Sequence, residues 1–407
     1  YAGTAIENPR PDEYSKYNHD MTFYNRYAHG PSTSISSLNS GNMNDWMLGG
    51  PAGVSSVSGT PTGIGSGKHT LSWTPENGLF SEGTGGQGGS YSGFWPNPLN
   101  YLPIAKRAMR MNFLAAYFSG KYAKLHDLNQ TDISSTTGNL TFGIENLGQN
   151  GNDTTPNTNA FTVTVAAITP NITINTASAS QNFTAAEILA QKTVDISYTL
   201  DGGISANDEI QFKVVLTSDY ASNNVLYEVN ITKIYNPTVL STLDPTNFSN
   251  WTSSGSWASV TDGYNDASAI RSNSTIPYST NQNRTLQYDG TLNLNGIQSA
   301  VVQFYGKWDL ERSYDFVVIE GSTNGSTWTE LCGRLTKPGA PTANNSYSST
   351  NDAGDSTTKT GTDDARQNGI TALYDGDTQD KWSMEEVVID VSTNSFLYNQ
   401  STVFLRF

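Results

Sequence analysis

The chain has one cysteine, Cys332, in 407 residues, so no disulfide can form within it. Charge is scarce. Asp, Glu, Lys and Arg make up 14% of the sequence, against roughly 25% in ordinary soluble proteins. Basic residues are the scarcer kind, 22 against 37 acidic, for a net charge of -15. Such a surface repels phosphates and excludes nucleic acid as a partner. No apolar run approaches the roughly 18 residues that would cross a membrane as a helix, and no leader-like segment opens the chain. Histidine is rare too. His19, His29, His69 and His126 are the only four, and none falls in a His-x-x-Glu or His-x-x-x-His pair, so they supply no zinc motif.

Asn, Ser, Thr and Gly fill the space that charge leaves. That balance suits extracellular β-rich modules with polar loops. Export without a disulfide framework points to a bacterial surface protein, extracellular or attached to the cell. The sequons at Asn182-Phe183-Thr184 and Asn230-Ile231-Thr232 occur at chance frequency in so Asn- and Thr-rich a chain. Asp153-Thr154-Thr155 and Asp355-Ser356-Thr357 resemble the O-glycosylation sites of Bacteroidetes. The length allows two or three domains. Tyr1 reads as an internal residue, and Val403–Phe407 reads as strand, so the chain is expected to be a segment of a longer protein.

Three regions differ in pattern. In 1–128 helical and strand-like runs alternate. Tyr14, Tyr17, Met21, Tyr24 and Tyr27 recur at helical spacing from a start near Pro11-Asp12-Glu13, and Gly30-Pro31 stops them. Leu71-Ser72-Trp73-Thr74-Pro75-Glu76 is a short apolar run that ends on a carboxylate. Gly-rich loops flank it. Ile104, Ala108, Met111, Leu114, Ala115 and Phe118 form one stripe of a helix expected over 103–125. From Asn129 to Asn236 the period becomes two: Leu140-Phe142-Ile144, Phe161-Val163-Val165, Val194-Ile196-Tyr198, Ile210-Phe212-Val214 and Val229-Ile231. Short strands with turns at this spacing predict a β-sandwich over 129–236. Pro237–Pro245 reads as a linker. In 246–407, Ala300–Phe304 is expected as a buried strand, and Asn324-Gly325 as a hairpin turn between Tyr314–Glu320 and Thr327–Leu331. Residues 340–368 read as a polar insertion.

In region 1–128, Asp45-Trp46 is followed by Thr74-Pro75-Glu76, then Gly93-Phe94-Trp95-Pro96, then a long helix. This order resembles the distal part of the catalytic domain of M14 zinc carboxypeptidases. The resemblance implies an α/β peptidase domain that removes C-terminal residues from peptides or proteins. It implies that Glu76 is the general base acting on a zinc-bound water, with Asn44 and Thr74 shaping the specificity pocket. A neutral Asn44 favours neither a basic nor a large aromatic C-terminal side chain. The family's zinc ligands would lie upstream of Tyr1. Ser37 stands where the family has a substrate-contacting tyrosine, a departure that also fits a non-catalytic surface-binding or adhesion protein on a peptidase scaffold. Leu140–Asn150 resembles a strand of Ig-like adhesion modules. The series Trp308-Asp309-Leu310-Glu311, Tyr314-Asp315-Phe316-Val317 and Ser322–Trp328 resembles the MAM-like jelly-roll attached to immune-inhibitor-A peptidases. The resulting expectation is a multidomain chain: α/β peptidase part, Ig-like sandwich, jelly-roll sandwich.

Taken alone, several of these residues have plainer readings. Glu76 beside a proline is otherwise a surface carboxylate. Asp309, Glu311 and Asp315 are oxygen donors for calcium, or solvated acids. Trp251, Trp257, Trp308, Trp328 and Trp382 are a carbohydrate platform, or core. Cys332 beside Leu331 reads as a small core residue.

Overall fold

The computed structural model describes residues 10–22, 71–75, 101–149, 158–219, 224–242, 248–264, 267–274, 278–279, 282–310, 315–336, 372–374, 378 and 382–407. The chain divides into two compact units, one of 112–240 and one of 1–111 with 241–407.

Helix α1 spans Pro11–Thr22. Pro11 suits the first helical position, where no N–H is needed, and Asp12 and Glu13 face the positive end of the helix dipole. The tyrosine stripe behaves as the spacing predicts, with Tyr17 and Met21 buried. Tyr24 and Tyr27 lie outside the described residues. Helix α2 spans Tyr101–Ser119. Met111 and Phe118 on its predicted stripe are buried, whereas Met109, Phe113 and Tyr117 on the opposite side are exposed.

Periodicity carries the helix too far. It stops at Ser119 rather than 125, and Ala123–Asp127 is strand β1. The reason is pairing. Leu147 and Gln149 donate their N–H groups to the Tyr122 and Phe118 carbonyls at 2.9 and 2.7 Å, and β1 runs antiparallel to residues 142–146. A ladder with a finished sheet outweighs local helix propensity. The sandwich thus begins before Asn129.

Its other strands are β2 (Asp132–Ile133), β3 (Thr137–Asn146), β4 (Thr158–Ala167), β5 (Ile172–Ile174), β6 (Ser180–Glu187), β7 (Gln191–Leu200), β8 (Glu209–Ser218) and β9 (Val225–Tyr235). One sheet has the order β1-β3-β7-β5, the other β2-β9-β8-β4-β6. These are the A-B-E-D and G-F-C neighbours of an immunoglobulin-like sandwich. The short β2 pairs parallel with the last strand, β9. One feature departs from that order: β6, beside β4, follows β5 in the chain rather than preceding it.

The predicted alternation is what closes this core. Every second residue of β4 from Phe161 to Val165 and of β8 from Ile210 to Leu216 is buried. Leu140, Phe142 and Ile144 face them from β3, and Phe142 meets Phe212 edge-on with ring centroids 6.3 Å apart. Each such side chain contributes about 1.5–3 kcal/mol by leaving water. One cation enters the interior. Lys233, 3% exposed, reaches Asp127 Oδ2 of the other sheet at 2.6 Å. Asn129 positions that carboxylate, donating to Asp127 Oδ1 from its backbone N and its Nδ2. Asn129 also extends the ladder, accepting the Thr141 N–H at 2.7 Å and donating to the Thr141 carbonyl at 3.0 Å.

The last region holds β10 (Trp251–Ser253), β11 (Ala258–Val260), β12 (Ala269–Arg271), β13 (Leu286–Tyr288), β14 (Ala300–Gly306), β15 (Glu320–Ser322), β16 (Thr329–Glu330), β17 (Ser383–Ile389) and β18 (Phe404–Arg406). They form a sheet β10-β13-β18-β15-β16 and the pairs β14-β17 and β11-β12. The core is Leu294, Ile319, Leu331, Tyr374, Val387, Ile389, Leu397 and Val403. The stretch expected as a buried strand has only one buried face. In β14, Val302 and Phe304 pack on the core, while Val301 is 51% exposed. The hairpin is present, but its loop is longer than two residues. Asn324 accepts the Ser326 and Thr327 N–H groups, and Gly325 takes a φ of 70°. Tyr314 lies outside the described residues, and the predicted run that follows it is reduced to a bridge at Val317 before β15 begins at Glu320. Among the described residues no helix is long and apolar enough to cross a membrane.

Candidate functional site

The stretch that leads to Glu76 is held by α1. Tyr14 Oη accepts the Ser72 N–H at 3.0 Å and donates to the Ser72 carbonyl at 3.2 Å. One hydroxyl thus satisfies both backbone groups of a single residue, as a neighbouring strand would. Trp73 packs on Tyr14 with centroids 5.6 Å apart, and meets Tyr17 edge-on at 6.4 Å. The register explains the gap in the tyrosine stripe: Tyr14 is half-buried because it grips 71–75, whereas Tyr17 is buried beneath it. On the same helix, Asp20 lies 3.5 Å from both Lys16 Nζ and His19 Nδ1, and His19 and Asp20 are buried. Arg10 pairs with Glu13 at the start of the helix.

Thr74 is exposed at the end of this held stretch. Asn44, Glu76 and Ser37 lie outside the described residues, as do His29 and His69. His19 sits in the α1 cluster. His126 stands on β1, half exposed, with Nε2 3.7 Å from Glu145. The described residues therefore do not fit a zinc site. Among them no three His, Cys, Asp or Glu side chains converge on a point that could hold a metal. Of the calcium candidates, Asp309 is exposed, and Asp315 accepts a 2.6 Å hydrogen bond from the Tyr278 hydroxyl. Glu311 lies outside the described residues.

The tryptophans separate by role. Trp251 packs on Tyr288 and Phe407. Trp308 joins the core against Tyr374, with centroids 4.9 Å apart. Trp328 lies under the Arg406 guanidinium at 4.2 Å, and Arg406 Nε also bonds Glu320 at 2.5 Å. Trp382 belongs to a separate aromatic group with Tyr264, which stacks on Tyr305. Cys332 is half-buried, and its backbone N–H and carbonyl pair with the Asn394 amide at 2.8 and 2.9 Å.

No family model matches this sequence, and no curated protein does. Solved structures similar to parts of it include a C. elegans MSP family member, 13% identical, covering 26% of this chain and 89% of that one at a TM-score of 0.17. The periplasmic chaperone SfaE is 10% identical, with coverage of 41% and 93% and a TM-score of 0.20. A chain of the Salmonella enterica SafA pilin–SafB chaperone complex is 10% identical, with coverage of 52% and 80% and a TM-score of 0.20. Likeness this slight says nothing of what the chain does.

The structure buries an acid that no sequence motif marks. Glu385, 1% exposed, accepts a hydrogen bond from the Tyr374 hydroxyl at 2.5 Å, and others from the N–H groups of Leu335 and Glu386. The signal was present: Glu385, Val387 and Ile389 alternate along β17, which puts the carboxylate on the core face. Burial pushes the Glu385 carboxyl above the usual glutamate range, although its hydrogen bonds pull the other way. Burial, then the adjacent Glu385, pushes the Tyr374 phenol well up. Gly333 leaves room for this carboxyl, because a Cβ at that position would stand 2.7 Å from it and force it to shift. The group therefore fixes the 332–336 turn.

The sign of its pH effect follows from linkage. A carboxyl whose folded pKa is raised contributes its full stability below the ordinary glutamate pKa and loses it as pH rises through the folded value. Each tenfold weakening of the acid on folding costs about 1.4 kcal/mol once it ionises. Glu385→Gln keeps an uncharged acceptor at this place. Thermal unfolding of the variant is expected to lose less stability than wild type as pH rises from acid to neutral. Equal slopes in the two proteins would reject this account of Glu385.

Proposed function

We propose that this chain is the distal part of an exported zinc carboxypeptidase, with Ig-like and jelly-roll modules following the peptidase domain. The observation that carries the reading is the ordered set Asp45-Trp46, Thr74-Pro75-Glu76 and Phe94-Trp95-Pro96, followed by a helix. It is supported by α2 starting at Tyr101, five residues after Pro96, and by α1 clamping the residues that precede Glu76. The zinc would be held by residues upstream of Tyr1 in a longer polypeptide. This chain would contribute Glu76 to move the proton, and Asn44 and Thr74 to admit a C-terminal side chain. Substrates would be peptides or proteins met outside the cell or at its surface.

The test is a pair of peptides, identical except that one ends in a free carboxylate and the other in an amide. The longer polypeptide is expected to release the last residue from the acid and not from the amide. Equal cleavage of both would mean an endopeptidase. A polypeptide that holds zinc but cleaves neither would favour the second reading, a non-catalytic binding protein, for which Ser37 in place of tyrosine speaks.

A further inference from the structure

The last region carries three aromatic rings where its core has no use for them. Val302 and Phe304 of β14 face the core, so Tyr305 stands on the opposite face with Val301 and Gln303. Tyr264 stacks on Tyr305, with centroids 3.7 Å apart and planes 19° from parallel. Trp382, one residue before β17, meets Tyr264 at 6.4 Å and 55°. None of the three belongs to the core or packs against it, a role that Trp308 fills. All three residues are half-buried rather than buried.

Polar groups edge this aromatic corner. Lys307 Nζ lies 5.3 Å from the Trp382 ring centroid and 2.7 Å from Asp262 Oδ2, and the Asp262 side chain is 61% exposed. An ion pair this exposed adds little to stability. It does place a donor and an acceptor one hydrogen bond apart beside a π face.

We propose that Tyr264, Trp382, Lys307 and Asp262 form a binding surface for a neutral pyranose glycan. The C–H face of a pyranose is apolar and flat, and stacks on aromatic rings. Its rim carries adjacent hydroxyls that both donate and accept, which the Lys307–Asp262 pair matches. Net charge of -15 disfavours acidic polysaccharides. A protein partner would more often meet a wider apolar patch than an aromatic corner edged by an ion pair. The site is independent of the peptidase reading.

Calorimetric titration of the full chain with xylohexaose, cellohexaose and mannohexaose tests it. At least one is expected to bind, with little change between low and high salt, and to alter tryptophan fluorescence. Tyr264→Ala is expected to weaken binding by about three- to tenfold, the usual size of an aromatic contact. Trp328→Ala, whose ring packs against the Arg406 guanidinium instead, should leave binding unchanged. Because Tyr264→Ala removes a stacked ring, its unfolding midpoint is measured alongside. If the fold is damaged, Lys307→Met decides, since it keeps the aliphatic stem and removes the donor. Failure of all three glycans overturns the proposal and leaves the corner to a protein ligand. Wild-type affinity in a folded Tyr264→Ala or in Lys307→Met also overturns it.

Discussion

Glu76→Gln, in the polypeptide long enough to carry the metal ligands, is expected to lower release of C-terminal residues by about a hundredfold or more. Glutamine keeps the size and hydrogen-bonding reach of glutamate but cannot take up a proton near neutral pH. The backbone before it has its own support, because Ser72 is held by Tyr14 and Trp73 by Tyr14 and Tyr17. Folding and zinc content should therefore stay near wild type, since the role assigned is proton transfer rather than ligation. The assay compares initial rates on a free-acid peptide, with zinc measured by elemental analysis on the same samples. Equal rates with equal zinc would remove Glu76 from the mechanism. Loss of zinc along with activity would make it a ligand instead.

Asn146→Ala is expected to destabilise the sandwich by at least about 3 kcal/mol, beyond most single substitutions. Asn146 ends β3 and is fully buried. Its Nδ2 donates to the Ala186 and Glu187 carbonyls at 2.8 and 2.9 Å. Its Oδ1 accepts from the Gly148 N–H at 3.1 Å and from Asn159 Nδ2 at 3.2 Å. One amide thus joins the ends of β3 and β6 to the start of β4. Truncation strands several buried polar groups at once, each costing about 1–3 kcal/mol. Urea unfolding of the full chain, followed through the sandwich transition, measures the loss. Asn182→Ala, whose Oδ1 accepts only an exposed bond from Thr162, is the comparison and should stay within about 0.5 kcal/mol. If the two variants unfold alike, Asn146 is not the tie described here.

Much of the middle region was legible because its information is local. Period-two runs at Leu140, Phe161, Val194, Ile210 and Val229 each became a strand, since a half-buried sheet imposes that alternation. The first tyrosines of α1 were legible for the same reason at helical period. Less legible was where α2 ends. The residues after Ser119 have helical periodicity, but they also fit the edge of β3, and only the completed sheet offers that ladder. Glu385 was legible in principle, from its place in the β17 alternation. That a carboxyl is tolerated there depends on Tyr374 and on Leu335, 11 and 50 residues away.

By itself the sequence determined the strand and helix periods and the ordered motifs from which the peptidase proposal is drawn. These depend on composition and near neighbours. The tertiary structure decided which strands pair, and so the A-B-E-D and G-F-C arrangement of the sandwich. It decided that Asn146 is a junction rather than a loop residue, and that Tyr14 serves Ser72 rather than a core. It also decided which tryptophans are core and which stand outside it. Each of these depends on groups far apart in the chain, whose approach is fixed only when the sheets close and water leaves the space between them.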